Sequence, residues 1–255
     1  MDVMKKWKGD HMKTQELLQA LKEKTWVSLT HEVTKDMAIY QAFNPLGERV
    51  LTTLEETGSD NREYTLGTSH GTHVDAPAHF MAGGKILSDI SPKERYLPLY
   101  VLHLEDKVKE EPGYAVTVDD ILAFEKEYGD IPEGAFVAFS SGWYKRIYSQ
   151  EDFTNTHEGV EVTPGWSVAA LEYLSRTRKI AAIGHETLNT DAGPEAAEAG
   201  DLVAQRFWLN ENKYQVEVMA NLDQVPATGA VIMINVLHIK DAVAFPAEVT
   251  AVFDA

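Results

Sequence analysis

The segment His70-Gly71-Thr72-His73-Val74-Asp75-Ala76-Pro77-Ala78-His79 gathers three histidines and one aspartate within ten residues. Imidazole nitrogens and a carboxylate oxygen form the donor set of a borderline divalent metal. His73 and Asp75, two apart, project to the same side of an extended backbone. Pro77 fixes its own φ and biases Ala76 toward extended geometry, so His79 can return toward the same point after a turn. Such a set leaves metal positions open for water and substrate, as a catalytic site requires. Metal-bound water titrates near neutrality and supplies hydroxide, while a histidine free of the metal shuttles protons. The bland counterpart is a segment that keeps only the remains of such a site. The isolated histidines, His11, His31, His103, His157 and His238, are read as hydrogen-bonded structural residues.

The elements that must position these groups follow an α/β pattern. Thr14 to Lys24 carries Leu17, Leu18 and Leu21 on one stripe, which predicts a helix. Strands are expected at Trp26–Leu29, at Arg62–Ser69 leading into the histidine segment, and at Tyr96–Leu104. Thr117-Val118-Asp119-Asp120 is a capping-box pattern that opens a helix running to about Tyr128. Gly134–Ser140 reads as an apolar strand. Thr163-Pro164 reads as an N-cap with proline at the first position of a helix ending near Thr177, and Lys179–Gly184 as the next strand. That βαβ unit puts the loops Ser141-Gly142-Trp143 and His185-Glu186 at strand C-termini, where site residues are expected. A helix at Asp201–Asn212 and strands at Tyr214–Met219, Ala230–Val236 and Glu248–Phe253 complete the series. With no internal repeat or linker in the sequence, one α/β domain over residues 1–255 is the expectation.

Composition narrows the function classes. A hydrophobic share of 44% with 25% charged residues suits a soluble protein with a sizeable core. No apolar run reaches the roughly 18 residues that would suggest a membrane-spanning helix, and Met1 to Lys24 carries no apolar stretch of a secretory signal. The absence of cysteine excludes disulfides, zinc–thiolate sites and a cysteine nucleophile, and makes the cytoplasm the expected location. A net charge of −17 argues against a nucleic-acid partner. From Ala181 to Gln205 there is no Lys or Arg, while Glu186, Asp191, Glu195, Glu198 and Asp201 fall there. This is either a solvated acidic loop or a place where Glu186 or Asp191 faces a cation in the site.

The run from Gly71 to His79 resembles the signature of the cyclase-like metal-dependent hydrolases, the family of bacterial kynurenine formamidase and isatin hydrolase. The resemblance continues in Ile183-Gly184-His185-Glu186-Thr187, where family members typically carry Ile-Gly-x-Asp-Thr. It also covers Tyr214-Gln215-Val216-Glu217, Asn221-Leu222-Asp223 and Pro226, and so spans about Trp26 to Phe253. It implies a swivelling β/β/α architecture assembled as homodimers or higher homo-oligomers. Two departures fall on metal ligands. The family motif begins with a histidine four residues before the His73 position, where this chain has Ser69; His70, one residue later, could substitute only with a backbone shift. A second family histidine lies twelve residues before the conserved glutamate, and counting back from Glu217 gives Gln205, a weaker neutral oxygen donor. The alternative for Gln205 is a polar residue on the exposed face of its helix.

What the resemblance implies is a hydrolase that opens an amide-type C–N bond of a small cyclic or aryl-formyl substrate. One divalent ion, Mn²⁺ or Zn²⁺, is expected on His73 and Asp75 with help from Glu217, Gln205 or His70. His79 is the expected proton carrier and Glu217 orients water or binds metal. Similar family members have a pocket-lining aromatic at the place of Trp143, whose alternative is a core tryptophan. His185 is a further substrate contact and the rival proton carrier. Without a cysteine or a Gly-x-Ser-x-Gly elbow, covalent catalysis has no evident nucleophile. A small-molecule binding protein that kept the fold after losing ligands, and a lactone or ester hydrolase, remain the alternatives.

Overall fold

The computed structural model describes residues 13–254. Thr14–Lys22 (α1) leads into Thr25–Ser28 (β1), and the histidine segment supplies the short strand His73–Asp75 (β2). Tyr96–His103 (β3), helix Val118–Tyr128 (α2), Phe136–Ser140 (β4), helix Val168–Glu172 (α3) and Ala182–His185 (β5) follow. Helix Val203–Asn210 (α4) precedes Tyr214–Glu217 (β6), Ala230–Val236 (β7) and Ala244–Phe253 (β8). The eight strands form one sheet in the order β1-β8-β7-β3-β4-β5-β6-β2, and β2 pairs back onto β8. All but β1 therefore close into a barrel-like ring. Strands β3, β4, β5 and β6 run parallel, while β2 is antiparallel to both of its neighbours.

Side-chain alternation divides the strands between two cores. Val74 and Val216 point into the ring with Leu99, Phe136, Ile232 and Val249. Val137, Phe139 and Ile183 point outward and are covered by Leu171, Leu174, Trp166 and Trp208. By the same alternation His73, Asp75, Gln215 and Glu217 lie on the outer face of their strands, where α4 covers the sheet. Gly184 leaves no room for a side chain, because a Cβ there would stand 2.4 Å from Met219 Sδ. Helix α2 begins as its sequence requires: Thr117 Oγ1 accepts from the Asp120 N–H at 3.2 Å, and Asp120 Oδ2 accepts from the Thr117 N–H at 2.7 Å.

Some expectations are corrected. Thr163-Pro164 caps no helix, because Gly165-Trp166 instead pairs in parallel with Ala115-Val116. The cap of α3 is Ser167, whose Oγ accepts from the Ala170 N–H at 3.2 Å. The run at Arg62–Ser69 is a strand only over Asn61–Thr65, paired in a hairpin with Gly47–Thr52. The α1 helix forms, but among the described residues no position of its stripe is fully buried: Leu21 is partly buried, and Leu17 and Leu18 are about half exposed. The acidic stretch splits. Glu195, Glu198 and Asp201 are exposed, whereas Glu186 and Asp191 are buried. Asp191 caps α4, accepting from the Ala204 and Gln205 N–H groups at 2.7 and 2.9 Å.

Asp191 therefore ties the loop after β5 to the helix that carries Gln205. Replacing it with alanine should cost roughly 1.5–3 kcal/mol in urea unfolding, the range for hydrogen bonds to a charged group, and Asp191→Asn should recover part of the loss. An alanine variant within about 0.5 kcal/mol of wild type would mean the cap contributes nothing beyond an ordinary surface substitution.

Candidate active site

The site is assembled by the pairing of β2 with β6, in which Glu217 lies opposite His73 and Gln215 opposite Asp75. His73, Asp75 and Glu217 each offer one ligand atom, and those atoms lie within 4.8 Å of one another. All three side chains are buried. His73 Nε2 stands 3.2 Å from Glu217 Oε2 and 3.6 Å from Asp75 Oδ1. Neither approach is aligned as a hydrogen bond, so His73 Nε2 and Asp75 Oδ1 are buried without a partner. His73 Nδ1 is 2.9 Å from the Gly71 carbonyl, which can only accept. The Nδ1 proton is thereby fixed, and the Nε2 lone pair is aimed at two carboxylates. Gly71 makes this possible by taking φ +63°, a left-handed conformation, with Met37 and Val33 packed close.

A lone pair and two carboxylates facing one another in a buried site call for a cation. Burial alone would lower the pKa of His73, but Asp75 and Glu217 outweigh it and lift the ring to about 9, so without a metal a proton on Nε2 takes the cation's place and the lone pair becomes available when a metal displaces that proton. Burial and the charge of Glu217 raise Asp75. Glu217 is held below its ordinary value in spite of burial, because His185 and His73 favour its charged form. A divalent ion fits this donor set: one imidazole nitrogen and two carboxylates, with the buried and unpartnered Oε1 of Gln205 close by. Gln205 lies on the inner face of α4 with Ala204, Trp208 and Leu209, not on its exposed face, and its Nε2 donates to Asp75 Oδ2 at 3.4 Å.

Above the donors is a cavity of about 330 Å³, with Asp75, Glu217, Gln205, Ser69, His79 and Asn189 among its lining residues. Tyr40, Phe43, Phe80, Leu188 and Leu202 supply its apolar wall. His79 sits on the short turn Pro77–His79, exposed, with its ring edge-on to Phe80 at 5.0 Å. That position borders the cavity without joining the donor cluster.

Three expected site residues fall elsewhere. His70 does not join the donors: its ring stacks on Phe43 at 5.7 Å and its Nδ1 accepts from the Gly67 N–H at 2.9 Å. Ser69, not His70, borders the cavity. Trp143 is a core tryptophan, 1% exposed, with its indole N–H donating to the Phe153 carbonyl at 2.8 Å and Arg146 stacked on its ring. His185 is wholly buried behind Glu217, its Nε2 3.5 Å from Glu217 Oε1, and does not line the cavity. Among the isolated histidines, His103 and His157 have hydrogen-bond partners. His31 keeps an unpartnered Nε2, and His238 is exposed. His11 lies outside the described residues.

The turn after β6 is strained. Val218 has φ +54°, a conformation costly for a β-branched residue. It is held by its N–H to the Thr187 carbonyl at 3.1 Å and by Thr72 Oγ1 donating to its carbonyl at 2.6 Å. Thr72, from the histidine segment, therefore fixes the chain directly beyond Glu217. Glu186 performs a similar service one strand away. Its Oε2 accepts from the Ser141 N–H at 3.1 Å, the Ser141 hydroxyl at 2.8 Å and the Trp143 N–H at 2.8 Å. The two loops expected at the strand ends are thus joined by this carboxylate, and burial lifts its pKa to about 7.

Fold and site together define a hydrolase with a place for a divalent metal, and comparison with known proteins gives the family. The Cyclase family model matches residues 27–192. Isatin hydrolase of Roseibium aggregatum is 31% identical over 186 residues, 71% of this chain and 70% of that protein. Kynurenine formamidase of Bacillus anthracis is 34% identical over 71 residues, 28% of this chain and 34% of that one. The structure of isatin hydrolase A from Ralstonia solanacearum is similar with a TM-score of 0.89 at 27% identity, covering 96% of this chain and 99% of its own. The chain belongs to the Cyclase family.

The pKa of Glu186 has a stability consequence. Its folded value of about 7 lies above the ordinary 4.5. The stabilisation from its protonated form is complete below pH 4.5 and is lost as pH rises through 7. Glu186→Gln removes this dependence. Urea unfolding at pH 4.5 and at pH 8 should find the variant gaining on wild type by on the order of 3 kcal/mol between the two. A constant difference at both pH values would contradict the assignment.

Proposed function

We propose that this chain hydrolyses an amide-type C–N bond in a small cyclic or aryl-formyl substrate, with one Mn²⁺ or Zn²⁺ ion. The observation that carries the reading is the convergence of His73 Nε2, Asp75 and Glu217, buried and aimed at one another below a cavity bordered by His79. His73, Asp75 and Glu217 would hold the ion, with Gln205 Oε1 as a further donor. The ion would polarise the substrate carbonyl and acidify a water molecule.

The protein's own groups account for the remaining steps. The apolar wall of Phe43, Phe80, Leu188 and Leu202 takes a flat ring and excludes bulk water from it. His79, outside the donor cluster, delivers a proton to the departing nitrogen. Identity to isatin hydrolase and to kynurenine formamidase, enzymes named for a cyclic and a formyl substrate, supports this substrate class.

The proposal includes a homodimer or higher homo-oligomer in the cytoplasm. Exposed apolar residues on α1 and the hairpin, among them Leu17, Leu18, Val50, Leu51 and Leu54, support self-association; the lack of cysteine supports a reducing compartment. Among the described residues no helix is long and apolar enough to cross a membrane.

Three variants test the roles, assayed for metal content and for turnover of isatin and an aryl formamide. His73→Ala should lose both metal and activity; stoichiometric metal in that variant would sink the assignment. His79→Ala should keep its metal and lose about 10²–10⁴-fold in rate, with one limb of the pH–rate profile gone. If it loses metal as well, His79 is a ligand. Ser69→His should tighten metal binding by adding an imidazole at the cavity wall, and an unchanged dissociation constant would show that position 69 does not reach the ion.

A further inference from the structure

We infer that Gln215, oriented by Thr190, is the positioning residue of this metal centre: one neutral amide holds both acidic ligands and turns their free oxygens toward His73. The inference rests on the metal reading above. Gln215 is fully buried and stands opposite Asp75 in the pairing of β6 with β2. Its Nε2 donates to Glu217 Oε1 at 2.7 Å and to Asp75 Oδ2 at 3.2 Å. The amide's two protons are thereby spent on the two carboxylates. The oxygens left over are Asp75 Oδ1 and Glu217 Oε2, the pair nearest His73 Nε2.

An amide could present its oxygen to the carboxylates just as easily, which would repel them. Thr190 decides the matter. Its buried hydroxyl donates to Gln215 Oε1 at 2.8 Å and so pins the amide with its nitrogen toward the acids. The chemistry explains why glutamine suits the position. A glutamate there would add a third acceptor and a third negative charge, and a lysine would neutralise the acids itself and compete with the ion. An amide orients two carboxylates and leaves their charge to the metal, as groups behind metal ligands commonly do.

The test is metal affinity, measured by chelator competition with Mn²⁺ and Zn²⁺ on the full chain, beside thermal unfolding of the metal-free protein. Gln215→Leu should weaken binding about 10–100-fold while the protein stays folded. Thr190→Val, nearly the same shape without the hydroxyl, should weaken it in the same direction, and Thr190→Ser should restore it. A purely structural role predicts the opposite: unchanged affinity in every folded variant, which overturns the inference. If Gln215→Leu fails to fold, the Thr190 pair decides alone, and equal affinity for valine and serine refutes the clamp. Should wild type bind neither ion, the metal reading fails and takes the clamp with it; wild type binding tightly with Gln215→Leu unchanged refutes the clamp only.

Discussion

The site depends on one structural constraint: the antiparallel register between the strands His73–Asp75 and Tyr214–Glu217. A slip by one residue would turn His73 and Asp75 into the apolar barrel and bring Val74 to the site. The register is enforced from both sides of the short strand. On one side it pairs with β6, and on the other with the start of β8, where Pro246 lies opposite His73 and Ala244 opposite Asp75. Val74 and Val216, packed inside the ring, fix which residues face out. The catalytic face therefore follows from the same alternation that fills the core.

The electrostatics follow from that register. Two carboxylates and an imidazole lone pair are forced together out of water, a costly arrangement unless a cation joins them. The surroundings reduce the number of free arrangements. Gly71 fixes the histidine tautomer, Gln215 occupies one oxygen of each acid, and the strained Val218 turns the chain away immediately after Glu217. Backbone strain at such a point, held by several hydrogen bonds, is the mark of a geometry over-determined by its surroundings. The cavity above it combines an apolar wall with His79 and Ser69, which suits a flat substrate entering over a polar floor.

Much of this could be read from the sequence, for identifiable reasons. The two-residue spacing of His73 and Asp75 implies a shared face in extended chain, and both side chains reach the same point. Strands and helices with strong local signals formed close to where the pattern placed them: the capping box at Thr117 opens a helix, and the apolar runs read at Tyr96–Leu104 and Gly134–Ser140 are strands over Tyr96–His103 and Phe136–Ser140. Glu217 and Gln205 followed from the family resemblance and not from any local pattern. Depth was harder to read. Trp143 and His185 lie at or just beyond strand ends, as cavity residues would, yet one is packed in the helix-side core and the other lies behind Glu217. Thr163-Pro164 has the composition of a cap, but a tertiary strand pairing claims the next two residues. Gln215, although inside a stretch that resembles the family, and Thr190 were assigned no role, because an uncharged polar residue reveals its role only through the partners that the fold brings to it.

The central claim is that the buried lone pairs of His73, Asp75 and Glu217 share one divalent cation. The most direct measurement is an anomalous difference map from crystals of the Mn²⁺-loaded protein. The account predicts a single strong peak about 2.0–2.3 Å from His73 Nε2 and from oxygens of Asp75 and Glu217. A peak coordinated instead by His70, or none at these three residues in fully loaded crystals, would contradict it.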